Sequence, residues 1–168
     1  MELVTKKRLV LVAGRANHEL AEEVAESLGT PLDPVEISEF ANGELHCRFG
    51  DSIRGADVFI IGSHCTTGSL SVNDSIMEQL IMVDAAKRAS AKRISVVAPF
   101  YGYVRQDRKA EGREPITAKL VADMFETAGA KRIISVDLHS GQIQGFFDGP
   151  VDHLTAMPVL VDWMARNL

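Results

Sequence analysis

Four basic side chains lie close together in one polar stretch of the sequence. Arg105, Arg108, Lys109 and Arg113 fall within residues 103–115, which carry both charge signs and show no apolar periodicity. Guanidinium groups pair with phosphate oxygens and can stack on a purine ring. Long loops at strand ends in compact domains are usually functional or disordered. The stretch therefore favours a polyphosphate or nucleotide ligand; the alternative is a solvated loop that only maintains solubility.

Asp137 and His139 form a second polar group, at the end of an apolar segment. A neutral imidazole can bind a divalent cation or a phosphate oxygen. The alternative for His139 is a structural role, either capping the following helix or satisfied in the core. The spacing alone leaves both open.

Alternating apolar segments indicate the elements that would position these residues. Strands are predicted over 9–13, 35–40, 45–49, 57–62, 94–100 and 132–138. Helices are predicted from an N-cap at Asn17 to a stop at Gly29, and over 73–90 and 116–128. A Gly/Ser/Thr-rich loop covers 64–71, and an apolar segment follows Leu154 and runs to Leu168.

The order of these elements predicts an α/β domain. Ala-Lys-Arg-Ile recurs at 91–94 and 130–133, each time at a junction from helix to strand. Successive βαβ units form a mainly parallel sheet with helices on both faces, and Asn42-Gly43 predicts an antiparallel hairpin. Such sheets bind ligands at the carboxyl ends of their strands, where the loops after Gly62, Phe100 and Leu138 should emerge.

Composition narrows the class of protein. The 168 residues are 24% charged and 46% hydrophobic, with a net charge of −5, which argues against a broad nucleic-acid-binding face. No apolar run is long enough to cross a bilayer, and residues 1–7 lack the apolar core of a signal peptide. Cys47 and Cys65 are expected to be reduced thiols in a cytoplasmic protein, with a disulfide as the alternative.

Familiar catalytic patterns are missing from the sequence. It holds no Walker A pattern, no G-x-G-x-x-G and no G-x-S-x-G, so a P-loop kinase, a Rossmann dehydrogenase and an α/β hydrolase are not supported. Phe40, Asn42 and Glu44, taken by themselves, are explained by hairpin structure. Phe146 and Phe147 are explained by packing, or by an apolar contact between subunits.

Several motifs in one order nevertheless resemble a known family, ribose-phosphate pyrophosphokinase. The resemblance is collinear from about Arg8 to Leu160 and is specific because so many motifs share one order. The motifs are FANGE (40–44), DSIRG (51–55), MEQL (77–80), YVRQDRK (103–109), DLH (137–139), QIQGFF (142–147) and PVDHL (150–154).

The resemblance implies a fold and a reaction. The fold would be a phosphoribosyltransferase-like three-layer α/β domain, with residues 1–168 as the amino-terminal ATP-binding and oligomerisation domain. The reaction would transfer the β,γ-pyrophosphoryl group of ATP to ribose 5-phosphate, with Mg²⁺, giving 5-phosphoribosyl 1-pyrophosphate and AMP. The protein would be a homo-oligomer that feeds nucleotide biosynthesis.

The resemblance also implies site residues. Adenine would lie between Arg105 and the Phe40 of a neighbouring subunit, and the catalytic residues would be Arg105 and His139, with His139 at the magnesium and triphosphate. The adenine edge would meet Asn42 and Glu44, again across the interface between subunits. The residues that line the phosphates or order the loop would be Gln106, Asp107, Arg108 and Lys109. An allosteric phosphate or nucleotide site at subunit contacts would use Ser52, Arg54, Gln144, Asp152 and His153.

This sequence departs from the family in two places. Family members have two similar α/β domains, whereas this sequence stops at Leu168, so the second domain and most of the ribose 5-phosphate site are expected to be absent. Glu111 stands where many relatives have a basic residue. Two functions follow: the ATP-binding half of the synthetase, inactive alone, or a non-catalytic regulatory or interaction protein. Residues 103–114 are further expected to be mobile until ATP binds.

Overall fold

A central parallel sheet organises the protein. In the computed structural model, which describes residues 8–168, the sheet has five strands in the order β1-β4-β5-β6-β7. The expectation that residues 1–7 carry no signal peptide lies outside the described residues. The elements are β1 (Leu9–Ala13), α1 (His18–Leu28), β2 (Val35–Glu39), β3 (Leu45–Phe49), β4 (Asp57–Ile61), α2 (Val72–Arg88), β5 (Arg93–Val97), α3 (Thr117–Ala128), β6 (Arg132–Val136), a 3₁₀ helix (Gly141–Phe146), β7 (Val151–Leu154) and α4 (Met157–Asn167).

The two faces of the sheet are covered by different helices, because side chains alternate along a strand. Val12, Ile60 and Val96 pack in the main core with α2 and α3. Ala13 and Ile61 point the other way and pack with α1. This is the predicted α/β arrangement with helices on both faces, and the prediction is confirmed.

The predicted hairpin is also confirmed. Strands β2 and β3 pair antiparallel as a separate two-stranded sheet, and β3 packs against α2. Asn42-Gly43 lies at the turn, where Gly43 has a φ of 89°, a conformation that glycine adopts without strain. The residues at the turn therefore belong to a sheet separate from the central one.

Two predicted strand ends are wrong by two residues or more. Strands β5 and β6 end at Val97 and Val136, not at residues 100 and 138. Pro99 has no N–H for the ladder, and Asp137 turns the chain with a φ of 47°. Asn17 occupies the N-cap position of α1, but it is left-handed and its side chain makes no capping hydrogen bond.

The last part of the chain adds elements that the sequence pattern did not resolve. After β6 come the 3₁₀ helix, then β7 at the edge of the sheet, then α4, none of whose residues is buried. Cys47 and Cys65 are free thiols, as expected. Within residues 8–168, no helix combines the length and the apolar character that crossing a membrane requires.

Candidate functional site

A cleft of about 510 Å³ opens at the carboxyl edge of the sheet, the edge that the topology predicts for a ligand. The loop after β5, residues 98–116, forms one wall and contributes Arg105 and Gln106. The loop after β6 contributes Asp137 and His139. The two polar groups singled out in the sequence are therefore brought together in one cleft.

The basic residues of the loop differ in their position. Arg105 lines the cleft, whereas Arg108 and Lys109 are exposed outside its lining. Among the described residues, no salt bridge involves any of these three cations. Their charges are thus available to an anionic ligand.

Asp107 has a structural partner within the chain. Its side chain is almost buried, and its Oδ2 accepts hydrogen bonds from Ser140 Oγ at 2.6 Å and Gln142 Nε2 at 2.9 Å. The Ser140 hydrogen bond is the main cause that holds the pKa of Asp107 below its ordinary value. Asp107 therefore joins the basic loop to the loop that carries His139.

The tip of the basic loop is closed by an acidic residue. Glu114 Oε2 accepts hydrogen bonds from the backbone N–H groups of Ala110 at 2.7 Å and Glu111 at 3.0 Å. These bonds lower the pKa of Glu114. Gln106, at the base of the loop, accepts a hydrogen bond from the hydroxyl of Thr117 at 2.5 Å.

His139 and Asp137 both face the cleft and are exposed. His139 is therefore not a buried core histidine, and the N-cap of the following 3₁₀ helix is Ser140. The carboxylate of Asp137 accepts a hydrogen bond from the N–H of Ala156 at 3.3 Å.

The donor set in the cleft suits a magnesium ion that is shared with a ligand. No group of three or more His, Cys, Asp or Glu side chains within residues 8–168 forms a ready metal cage. Mg²⁺ usually takes one or two protein carboxylates and completes its shell with phosphate oxygens and water. Asp137 supplies one such carboxylate to the cleft, and His139 lines the same cleft.

The hairpin residues lie elsewhere. Phe40 is 57% exposed, so it is not a core residue, and its ring meets His46 edge-on at 6.3 Å between centroids. Asn42 Oδ1 accepts a hydrogen bond from the N–H of Glu44 at 3.2 Å. The lining of the cleft in the described chain does not include Phe40, Asn42 or Glu44.

The residues expected to form an allosteric site are split between two parts of the sheet. Ser52 and Arg54 are exposed just before β4. Asp152 and His153 lie in β7, where Asp152 pairs with Arg132 and His153 Nε2 accepts from the N–H of Leu138 at 3.0 Å. Gln144 lies exposed in the 3₁₀ helix. Because β5 and β6 separate β4 from β7, a single chain does not bring the two groups together.

A family model matches residues 9–129 and is described as the N-terminal domain of ribose phosphate pyrophosphokinase. This chain belongs to that family. Its fold is also that of a solved structure, the crystal structure of phosphoribosylpyrophosphate synthetase from Mycobacterium smegmatis. The TM-score is 0.91 at 54% identity, and the match covers 95% of this chain and 52% of that one.

Curated relatives agree with the assignment to the ribose phosphate pyrophosphokinase family. The ribose-phosphate pyrophosphokinase of Streptomyces avermitilis is 57% identical over 97% of this chain and 49% of its own length. The Bifidobacterium longum protein of the same name is 58% identical over 94% of this chain and 45% of its own. The chain thus spans about half the length of the curated relatives it matches.

Two polar groups near the carboxyl edge of the sheet were given no role by the sequence, although Glu78 and Gln79 lie in its MEQL motif. Glu78 is nearly buried, and its carboxylate accepts from the backbone N–H of Arg15 at 2.6 Å and from Arg15 Nε at 2.5 Å. His64 and Gln79 are buried together and hydrogen-bonded at 2.8 Å. The available signal was a polar residue within the apolar stripe of α2, since Gln79 falls between Ile76 and Met82.

Proposed function

We propose that this chain is the ATP-binding half of a ribose-phosphate pyrophosphokinase. The whole enzyme would move the β,γ-pyrophosphoryl group of ATP to ribose 5-phosphate, giving 5-phosphoribosyl 1-pyrophosphate and AMP. The observation that carries the proposal is the cleft lined by Arg105, Asp137 and His139, in a chain of this family.

The chemistry of these residues suits pyrophosphoryl transfer, which depends on positioning and charge neutralisation more than on covalent chemistry. Arg105, free of any salt bridge in the described chain, can neutralise a phosphate and stack on adenine. Gln106, Asp107, Arg108 and Lys109 follow it in the loop and would line the phosphates or hold the loop in place. Mg²⁺ shared by Asp137, His139 and the triphosphate would neutralise charge on the transferred group.

Two copies of the chain would complete the site. Phe40, Asn42 and Glu44 carry exposed groups that suit adenine, yet they stand outside the cleft of their own chain. A neighbouring chain's hairpin that reached the cleft would place Phe40 against adenine bound to Arg105. The same assembly would let Ser52 and Arg54 of one chain meet Gln144, Asp152 and His153 of another around an anionic effector.

Calorimetric titration with Mg²⁺ and a non-hydrolysable ATP analogue tests the binding half of the proposal. Saturable binding is expected, with AMP competing because it shares adenine and the α-phosphate. Ribose 5-phosphate alone should not bind the 168 residues measurably, because its cradle is proposed to lie in a second domain. A chain that binds neither the analogue nor AMP would contradict the proposal.

A turnover assay tests the division of labour between the two halves. The 168-residue chain alone is expected to make no 5-phosphoribosyl 1-pyrophosphate from ATP and ribose 5-phosphate. The informative comparison is the same assay after a separately expressed second half from a relative has been added. Turnover by the chain alone that disappears in an Arg105→Ala variant would contradict this part while supporting the nucleotide site. We further propose that the protein works in the cytoplasm as a homo-oligomer, without nucleic-acid or membrane partners.

A further inference from the structure

A buried histidine lies directly behind the backbone of the cleft wall. His64 follows β4 and has no exposed surface. Its ring is stacked on Phe125, with centroids 5.6 Å apart and an angle of 5° between the planes. Packing of this kind holds the ring in one orientation, so that its two nitrogens point in defined directions.

Both ring nitrogens of His64 are used, and they define one protonation state. The N–H of Gly102 donates to Nδ1 at 2.9 Å, so Nδ1 must be unprotonated. The proton therefore lies on Nε2, which is 2.8 Å from Gln79 Oε1. Burial lowers the pKa of His64 to about 4, which keeps the ring neutral near pH 7.

Gln79 ties this ring to the sheet. Its Nε2 donates to the carbonyl oxygens of Ile60 at 2.9 Å and Val97 at 3.2 Å, near the carboxyl ends of β4 and β5. Because Gln79 Nε2 donates to these two carbonyl oxygens, the amide atom that faces the histidine is Gln79 Oε1. A continuous set of buried hydrogen bonds thus runs from two central strands, through Gln79 and His64, to Gly102.

Gly102 is the point at which this network meets the cleft. A Cβ at this residue would lie 2.9 Å from Ile76 Cδ1 and 3.0 Å from His64 Cβ, so the backbone is in close contact with the core. Tyr103 follows with a φ of 62°, and its hydroxyl donates to Asn73 Oδ1 at 2.5 Å. Arg105 comes two residues later, on the cleft wall.

We propose that His64 is a positioning residue: through its hydrogen bond to Gly102 it holds residues 102–105 in place before a ligand arrives, so that Arg105 is presented to the nucleotide. The part that concerns ligand affinity rests on the proposed function, whereas the part that concerns the backbone does not. His64 itself lies beneath the wall and touches no ligand.

A pair of substitutions separates this role from simple packing. The side-chain amide of asparagine reaches about as far as Nδ1 of histidine, and that of glutamine about as far as Nε2. His64→Asn can therefore keep an acceptor for the Gly102 N–H, whereas His64→Gln keeps the contact with Gln79 and loses that acceptor. Both variants lose the ring that stacks on Phe125, so each is the other's control for lost packing.

Amide hydrogen exchange of residues 101–106 without nucleotide is the first measurement. His64→Asn is expected to keep exchange as slow as the parent chain. His64→Gln should exchange faster and should bind the Mg²⁺–ATP analogue about threefold to tenfold more weakly, the effect of one hydrogen bond. Equal exchange and equal affinity in the two variants would overturn the proposal.

The two arms of the experiment fail separately. If the parent chain does not bind the analogue, the proposed function fails, while the exchange rates still decide whether His64 holds the backbone. If the two variants do not fold, a measurement on the unsubstituted chain still tests the proposal. Nitrogen-15 chemical shifts of the His64 ring should show a neutral ring protonated on Nε2, and protonation on Nδ1 would overturn the proposal.

Discussion

The basic loop after β5 and the hairpin tip between β2 and β3 are both proposed to hold the nucleotide, yet they are anchored very differently. The loop is bonded to the rest of the chain through Gly102, Tyr103 and Asp107, whose partners belong to other elements. The hairpin tip is held by its own turn, with Phe40 N–H donating to Glu44 O at 2.8 Å and Gly43 N–H to Phe40 O at 2.8 Å.

The difference separates preorganised groups from groups that need a partner. A side chain on an anchored wall loses little freedom when a ligand binds, so more of its interaction energy appears as affinity. An exposed aromatic ring on a hairpin turn gains contacts only when another surface covers it. Arg105 should therefore act within one chain, and Phe40 only in an assembly.

The largest expected effect is a pH dependence of stability. It arises from His64, which anchors the basic loop, and has no counterpart in the hairpin tip. Burial lowers the pKa of His64 to about 4, below its ordinary 6.5. The unfolded chain therefore takes up the proton first as the pH falls. The stability due to a neutral His64 is complete above pH 6.5 and is lost between pH 6.5 and 4, by about 3 kcal/mol in the free energy of unfolding.

Denaturant unfolding at several pH values, for the parent chain and His64→Phe, checks this prediction. The parent should lose about 3 kcal/mol more stability over that window than the variant. Asp107 and Glu114 have lowered pKa values, so their contributions are lost as the pH falls below the ordinary values of 3.8 and 4.5, and because both proteins keep these residues the losses cancel in the difference. The protection of the Gly102 amide, measured against its intrinsic exchange rate at each pH, should fall over the same window, while the protection of the Gly43 amide should not. Parallel curves for the two proteins would contradict the buried neutral ring.

Arg105→Ala should cause the largest loss of nucleotide affinity, on the order of 1–3 kcal/mol, because stacking and charge are removed together. The loss should not depend on chain concentration, since Arg105 lines the cleft of its own chain. Arg88→Ala is the matched control, because Arg88 lies at the far end of α2 and pairs with Asp84 at the surface. If calorimetry gave equal nucleotide affinities for the two variants, Arg105 would not belong to the nucleotide site.

Phe40→Ala should weaken binding by about 1 kcal/mol, the scale of one aromatic stack. Its melting temperature should be unchanged, because the ring is 57% exposed in the single chain. The loss should grow with chain concentration as assemblies form. Mixing Phe40→Ala with Arg105→Ala should restore a fraction of the sites, since an interface can then combine one intact copy of each residue. A variant that melts early but binds normally would make Phe40 a structural residue.

The smallest effects come from a matched pair of loop substitutions. Asp107→Asn weakens two hydrogen bonds between loops, so a melting temperature lower by a few °C is expected. Asn42→Ala removes only an exposed bond within the turn and should leave the melting temperature unchanged. Equal shifts in a thermal melt would contradict the difference in anchoring between the loop and the hairpin tip. The sequence predicts that residues 103–114 become ordered only when ATP binds, whereas the proposed anchoring by His64 holds residues 102–105 beforehand. Amide exchange with and without the nucleotide decides between the two.

The sequence predicted the elements whose signals are local. Val58 to Ile61 and Ile94 to Val97 are short apolar runs, and both lie in the central sheet. The hairpin was predicted because the Asn42-Gly43 dipeptide contains the whole turn signal, which is also local. The strand ends were misplaced where Pro99 and the left-handed Asp137 stop the ladder before the apolar run ends.

What the sequence determined by itself was the order of strands and helices as far as β6, the hairpin, the edge of the sheet at which the cleft opens, and the family. Apolar periodicity, turn dipeptides and collinear motifs can all be read along one chain. Only the tertiary structure decided which polar groups meet. Gly102 and His64 are 38 residues apart, and Ser140 and Asp107 are 33 apart, yet both pairs are hydrogen-bonded. The order of strands in space sets such distances, and no local pattern records that order.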